Sequence, residues 1–379
     1  MNFNEKIVFK KFLSDNTIFF LLSAISLSLI VWIIQAVNFL DFISEDGHGF
    51  KVYFYYTVLN LPKIFSRILP FIFFVSLFYT ILKYENNNEL IIFWTTGIKK
   101  IQFTNTMIKF SIFFLLIQLI LTAFIVPKSQ DLARSFIRSS NIDLFPSLIK
   151  EKTFVDTVSD LTIFIDSKNE DGELKNIFLK DDFSNTKSQI IYAKSGNLIT
   201  DLNKNYLILY DGSFINNDNG KITNFSFKKT EFNLSRYTTK STTFPKIQEL
   251  NTLLLANCLK YIFDNNSENF FNQYLQCDPD KTIGIKQELF KRLFVPFYII
   301  LISLISTLVL IKSKDDFNFN KFKYTVFIIG VMTLVLSEIS TRYSGINNLY
   351  SGLSIGVPIF LFLTVYLTLS NKFKVKNSL

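Results

Sequence analysis

Pairs of charged residues spaced by one helical turn are the first places where side-chain chemistry could act in this chain. Lys63 and Arg67 lie four apart in a stretch that is otherwise apolar. A helix would bring both cations to one side. Arg can grip a phosphate through two parallel hydrogen bonds, and Lys can meet it as a point charge. Charges within an apolar span are costly toward lipid and usually face a cavity or a partner. The competing reading is that both heads snorkel toward a polar headgroup layer. Glu85 and Glu89 are a second pair, followed by Leu90, Ile91, Phe93, Trp94 and Gly97. This spacing predicts a short helix near 85–97 with both acids on one face and Gly97 at its end. Such a helix suits a groove on another protein, through aromatic anchors and an acidic rim. It would equally suit a membrane surface, where Trp is common. Glu338 and Arg342, also four apart, read as a structural ion pair or as a contact across to a partner. Gly352 and Gly356 form a GxxxG, which permits close helix approach.

Other chemistries lack their residues. The 379-residue chain has one His (His48) and two Cys (Cys258 and Cys277). A His-based triad or a His/Cys zinc cage is therefore not expected, and His48 sits beside Glu45 and Asp46 with no partner motif. No GxxxxGK[ST] occurs, so no P-loop holds a nucleotide, and no cofactor or metal is expected. Charged residues are 19% of the chain and aromatics 16%, with 44 Phe. An ordinary soluble domain is about 25% charged. The net charge of +9 has a better explanation than nucleic acid, because basic loops beside apolar spans follow membrane topology.

The elements that would position these residues are apolar helices. A bilayer core needs about 20 apolar residues. Such stretches occur near 18–37, 61–82, 110–126, 293–311, 324–339 and 353–369, with Pro127 closing the third. The first follows Lys6, Lys10 and Lys11 but exceeds a signal-peptide core and lacks a small-x-small cleavage site. Basic residues cluster at the N-terminus (Lys6, Lys10, Lys11), in 83–109 (Lys83, Lys99, Lys100, Lys109), in 312–324 (Lys312, Lys314, Lys321, Lys323) and at the C-terminus (Lys372, Lys374, Lys376). The opposite short loops hold only Lys51 and Arg342. The positive-inside rule then puts both termini in the cytoplasm and the large insert outside it.

The insert reads as β structure. Runs at 161–166, 174–180, 189–194 and 206–210 are strand-like, and Asp171-Gly172, Asp211-Gly212 and Asn219-Gly220 tolerate the positive φ of tight hairpins. A sandwich or open jelly roll is expected, with an edge able to pair with another β protein. From 246 to 292 the pattern turns helical and returns to the fourth span. Cys258 and Cys277 lie in this stretch, where the compartment permits a disulfide.

Three spans, a β insert and three spans resemble the LptF/LptG family of lipopolysaccharide export permeases. The segment ENNNELIIFWTTGI at 85–98 is similar to the family's cytoplasmic coupling helix. The stretch 149–181 resembles the opening strands of its β-jellyroll. QELFKRLFVPFYIILISL at 287–304 is similar to the start of its fourth span, with Arg292 where the family keeps a basic residue, as a gate or structural element. The end of the first span, WIIQAVNFLDFI, and the 149 segment look more like the LptF half, with LptG as runner-up. The resemblance implies an α-helical membrane protein with six transmembrane helices and an inserted periplasmic jellyroll-like domain. Its blocks would be 1–127, 128–285 and 286–379. The implied partners are a second six-span permease, an LptB-like ATPase dimer, an LptC-like bridge protein and lipopolysaccharide itself, in the bacterial inner membrane. The family commonly carries basic residues near the outer end of span one. Ala36 and Asn38 stand there in this chain, with Gln35 retained in kind. Lys63 and Arg67 then become the substitute pair for a substrate cavity.

Overall fold

The computed structural model describes residues 3–40, 50–139, 151–158, 161–169, 173–184, 187–201, 204–218, 221–234, 246–263 and 281–375. His48, Asp171-Gly172, Asn219-Gly220 and Cys277 lie outside the described residues. The chain divides into two compact units: Met1–Ile33, Leu59–Asp131 and Pro245–Leu379 form one, and Ile34–Val58 with Leu132–Phe244 form the other.

Among the described residues, six helices are long and apolar enough to cross a membrane: Lys6–Asn38, Phe50–Asn86, Lys100–Ile137, Thr282–Ile311, Phe319–Tyr343 and Leu349–Lys374. These are spans one to six. All extend beyond the apolar runs read from sequence, because a helix continues wherever its backbone bonds are satisfied, inside the hydrocarbon or out of it. Pro62 does not interrupt span two, because it stands in the first turn of the Leu61–Asn86 segment, where its missing N–H is no loss. Pro127 does not close span three, contrary to the sequence reading. A π turn at Leu121–Ile125 precedes it and the helix runs on through Val126–Ser139. The wider turn absorbs the proline within the helix.

Burial ranks the spans. Within an 18-residue apolar stretch of each helix, 67% of span four and 61% of span two is buried, against 17% of span one and 11% of span six. Spans two and four are therefore the centre of the helical unit, and spans one, five and six keep faces for lipid or other helices. Phe12, Phe73, Phe74, Phe93, Phe103 and Tyr298 are among its largest fully buried side chains. Lipid supplies no hydrophobic drive for helices to associate, so close packing and interhelical hydrogen bonds must do it. Gly330 shows the first device: a Cβ there would lie 2.1 Å from the Phe74 ring, so only Gly lets that ring rest on span five. Asn16 shows the second: its Oδ1 accepts from Ser76 Oγ at 2.9 Å and Thr80 Oγ1 at 3.2 Å, joining spans one and two.

The described residues of the second unit carry six antiparallel strands: β1 Phe154–Val158, β2 Leu161–Lys168, β3 Glu173–Ser184, β4 Lys187–Asp201, β5 Lys204–Asp218 and β6 Lys221–Asn233. They pair in chain order as one meander. The expected β insert is present, and its core includes Ile163, Ile165, Ile177, Leu179, Ile191, Leu207 and Leu209. The Asp211-Gly212 hairpin is not: both residues lie inside β5. The positive φ read from that dipeptide is real (48° at Asp211), and Asn176 in β3 matches it at 49°. Pairing registers on either side of these residues agree, with Ala193 opposite Gly212 and Ser195 opposite Tyr210. What changes is parity. Ile191 and Ala193 are buried before this row and Gly196 after it; Ile177 and Leu179 follow it and Leu174 precedes it. A left-handed residue flips the alternation in β3 and in β5, and β4 between them changes parity in the same row with no positive φ, so the same sheet face takes odd positions on one side of the crease and even positions on the other. Gly212 is required there, since a Cβ would stand 2.2 Å from the Tyr192 carbonyl oxygen.

Candidate functional site

The turn between spans two and three is built by two successive left-handed caps. Span two ends with Glu89 N–H donating to the Tyr84 carbonyl at 2.8 Å and Asn88 N–H to that of Glu85 at 3.1 Å. Asn88 takes φ 62°, which Asn tolerates better than most residues. A six-residue helix, Leu90–Thr95, follows. It closes in the same way: Ile98 N–H donates to Phe93 and Gly97 N–H to Trp94, with Gly97 at φ 88°. This is the Schellman arrangement, completed by the buried apolar pair Phe93 and Ile98.

These caps correct the sequence reading of the acids. Glu85 belongs to the last turn of span two and Glu89 is the N-cap of the short helix, so they do not share one helical face. Glu85 Oε1 accepts the backbone N–H of Lys314 at 2.9 Å, while Glu89 Oε1 accepts from Asn87 Nδ2 at 2.9 Å. Phe93, expected as an anchor for another protein, is fully buried, edge-on to Phe9 at 5.3 Å and to Phe103 at 5.3 Å. Trp94 is half-buried, with Lys100 Nζ 5.5 Å from its ring centre. The face left uncovered is Ile91 and Ile92, each about half exposed (52% and 51%).

At the other end of the helical unit, Lys63, Arg67, Lys291 and Arg292 line one small cavity with the acid Glu288 and with Ser66, Thr122, Gln130 and Gln248. Lys63 Nζ donates to Gln130 Oε1 at 2.9 Å, and Gln130 Nε2 donates to Asn60 Oδ1 at 2.9 Å. Arg67 is exposed and has no ion pair among the described residues. Arg292 is the opposite case: its side chain is 2% exposed and fully engaged. It bonds Glu288 Oε1 at 2.9 Å, the Leu250 carbonyl at 2.8 Å, Thr252 Oγ1 at 2.9 Å and the Gln248 carbonyl at 2.9 Å. Thr252 in turn donates to the Ala123 carbonyl, and Thr122 Oγ1 to the Arg292 carbonyl at 2.9 Å. Arg292 thus ties the return segment 246–252 to spans three and four, which makes it structural. Lys291 and Gln130 were not singled out in the sequence; the Lys-Arg dipeptide was a signal for the first, and nothing local marks the second.

The remaining expected residues stand apart. Gln35 is half-buried in the second unit. Glu338 and Arg342 are both exposed and form no ion pair among the described residues. An exposed pair gains little from closing against its side-chain entropy. A Cβ at Gly352 or Gly356 would meet nothing within 4 Å, so this GxxxG packs against no helix among the described residues of its own chain. Cys258 is fully buried and disulfide-bonded. No group of three or more metal-binding side chains occurs among the described residues.

Comparison with known proteins gives two findings. An uncharacterized protein of Rickettsia prowazekii (strain Madrid E) is 25% identical over 229 residues, which is 58% of this chain and 62% of that protein. This chain therefore spans less than two thirds of that relative. The family model described as lipopolysaccharide export system permease LptF/LptG matches residues 11–372. With six membrane-spanning helices interrupted by a β unit after the third, the chain belongs to the LptF/LptG family of lipopolysaccharide export permeases.

Proposed function

We propose that this chain is one of two permease subunits of an ATP-driven lipopolysaccharide exporter in the bacterial inner membrane, the LptF-like half rather than the LptG-like one. The observation that carries the permease reading is the family match across residues 11–372; the choice of the LptF-like half rests on the sequence at the end of span one and in the 149 segment. In this reading both termini are cytoplasmic and the β unit is periplasmic. The helix Leu90–Thr95 docks on an LptB-like ATPase through Glu89, Ile91 and Ile92, and ATP chemistry belongs to that partner. An LptG-like permease covers the outward faces of spans one, five and six. The sheet passes lipid to an LptC-like bridge.

Lys63 and Arg67 give the reading a substrate. In this orientation they lie in the outer half of span two, lining one cavity with Lys291, and Arg67 has no ion pair among the described residues. The lipid A phosphates would meet them at that depth, each contact to a charged group contributing about 1.5–3 kcal/mol. Lys63→Ala with Arg67→Ala should lower lipopolysaccharide extraction while complex assembly and ATP hydrolysis persist. Normal release to an acceptor protein from liposomes carrying the double variant would exclude this role. Interchangeability of Lys and Arg at both positions would point to snorkelling instead.

A further inference from the structure

We propose that Glu85 and Lys100 are positioning residues that carry movement of the short helix Leu90–Thr95 into spans four and five. The proposal rests on the reading of that helix as the ATPase-docking element.

Apolar contacts alone would let the short helix slide, because Phe93 packs against rings of spans one and three without a directional bond. Two polar links reach further. On one side of the short helix, the Lys314 backbone N–H donates to Glu85 Oε1 at 2.9 Å, and Lys314 Nζ to the Asn86 carbonyl at 3.2 Å. These bonds clip the end of span two to the loop that leads into span five. On the other side, Lys100 Nζ donates to the Leu310 carbonyl at 2.6 Å. Leu310 lies in the 3-10 turn Leu308–Ile311 that ends span four. The last carbonyls of a helix lack partners within it and carry the negative end of its dipole, so an ammonium is favoured there. The same ammonium lies 5.5 Å from the centre of the Trp94 ring and 6.0 Å from that of Phe373 in span six. Lys100 therefore joins the short helix, the start of span three and the ends of spans four and six at one point. Hydrogen bonds fix register where apolar packing does not, so a displaced short helix pulls spans four and five with it.

The test uses the full complex in liposomes loaded with lipopolysaccharide, reading ATP hydrolysis and release to a soluble acceptor together. In Glu85→Ala and Lys100→Met, assembly and hydrolysis are expected within about twofold of the unaltered complex, with release per ATP about tenfold lower. Glu85→Gln keeps an oxygen that accepts from Lys314 and is expected to retain release within about threefold. If Glu85→Ala fails to assemble, Lys314→Ala removes only the bond to Asn86 and is expected to lower release per ATP about threefold. Unchanged release per ATP in these variants overturns the proposal. So does failure of Glu85→Gln together with loss of the ATPase, because Glu85 would then be a docking charge. An unaltered complex that hydrolyses ATP and releases nothing removes the permease reading itself, and this proposal with it.

Discussion

Replacing Arg292 with Met should free the return segment while leaving most of span four in place. Met fills a similar apolar path but donates no hydrogen bond. The change leaves Glu288, whose side chain is 15% exposed, with only the longer contact to Lys291 at 3.8 Å, and removes donors from the Leu250 and Gln248 carbonyls. Individual bonds to a charged group contribute about 1.5–3 kcal/mol and do not add. Removing one partner of a buried pair costs about 3–5 kcal/mol in all. That corresponds to about a hundredfold to a few thousandfold in the opening of 246–252, at about 1.4 kcal/mol per factor of ten. Hydrogen exchange of the detergent-solubilised protein measures it directly. The Glu249 and Leu250 amides donate to the Lys246 and Ile247 carbonyls in a short 3-10 turn and should lose their protection. Amides in the middle of span four should be unaffected. Protection at 249–250 unchanged within about threefold would refute the clamp.

Other outcomes follow from the same geometry. Glu89→Lys or Ile92→Asp should abolish co-purification of the ATPase without lowering thermal stability, since neither side chain is buried; co-purification at the unaltered yield would remove this face as the docking surface. Phe93→Ala should also lose the ATPase, but with a loss of stability of about 3–5 kcal/mol, seen as an earlier thermal unfolding. Gly212→Ala should destabilise the β unit by about 1–3 kcal/mol through overpacking against the Tyr192 carbonyl, read as faster protease cleavage within 154–233 and normal cleavage elsewhere.

The six spans were legible because a bilayer imposes length and apolarity on each helix separately. Their ends were not, because helices such as span three continue into polar sequence and Pro127 is absorbed by a π turn that no local residue announces. In the β unit, Asp211-Gly212 did mark a left-handed backbone, but turn and crease place the same demand on φ. Only pairing with β4 and β6 decides between them. In the segment 85–98, Gly97 marked the helix end, whereas Asn88 went unread and the predicted helix therefore ran through the turn before Glu89. That one cap moved Glu85 from the face it was expected to share with Glu89 to the Lys314 loop. Lys63 and Arg67 were visible as neighbours; the charge opposite them came from Lys291, more than two hundred residues later in the chain, which no local pattern can report.

The most direct test of the account is release of lipopolysaccharide by the purified complex. Liposomes would carry this chain, the second permease and the ATPase, with lipopolysaccharide in the bilayer and a soluble bridge protein as acceptor. The account predicts transfer that requires ATP and this chain together, and that is lost when either is left out. Transfer of equal extent without ATP, or by liposomes lacking this chain, would contradict it.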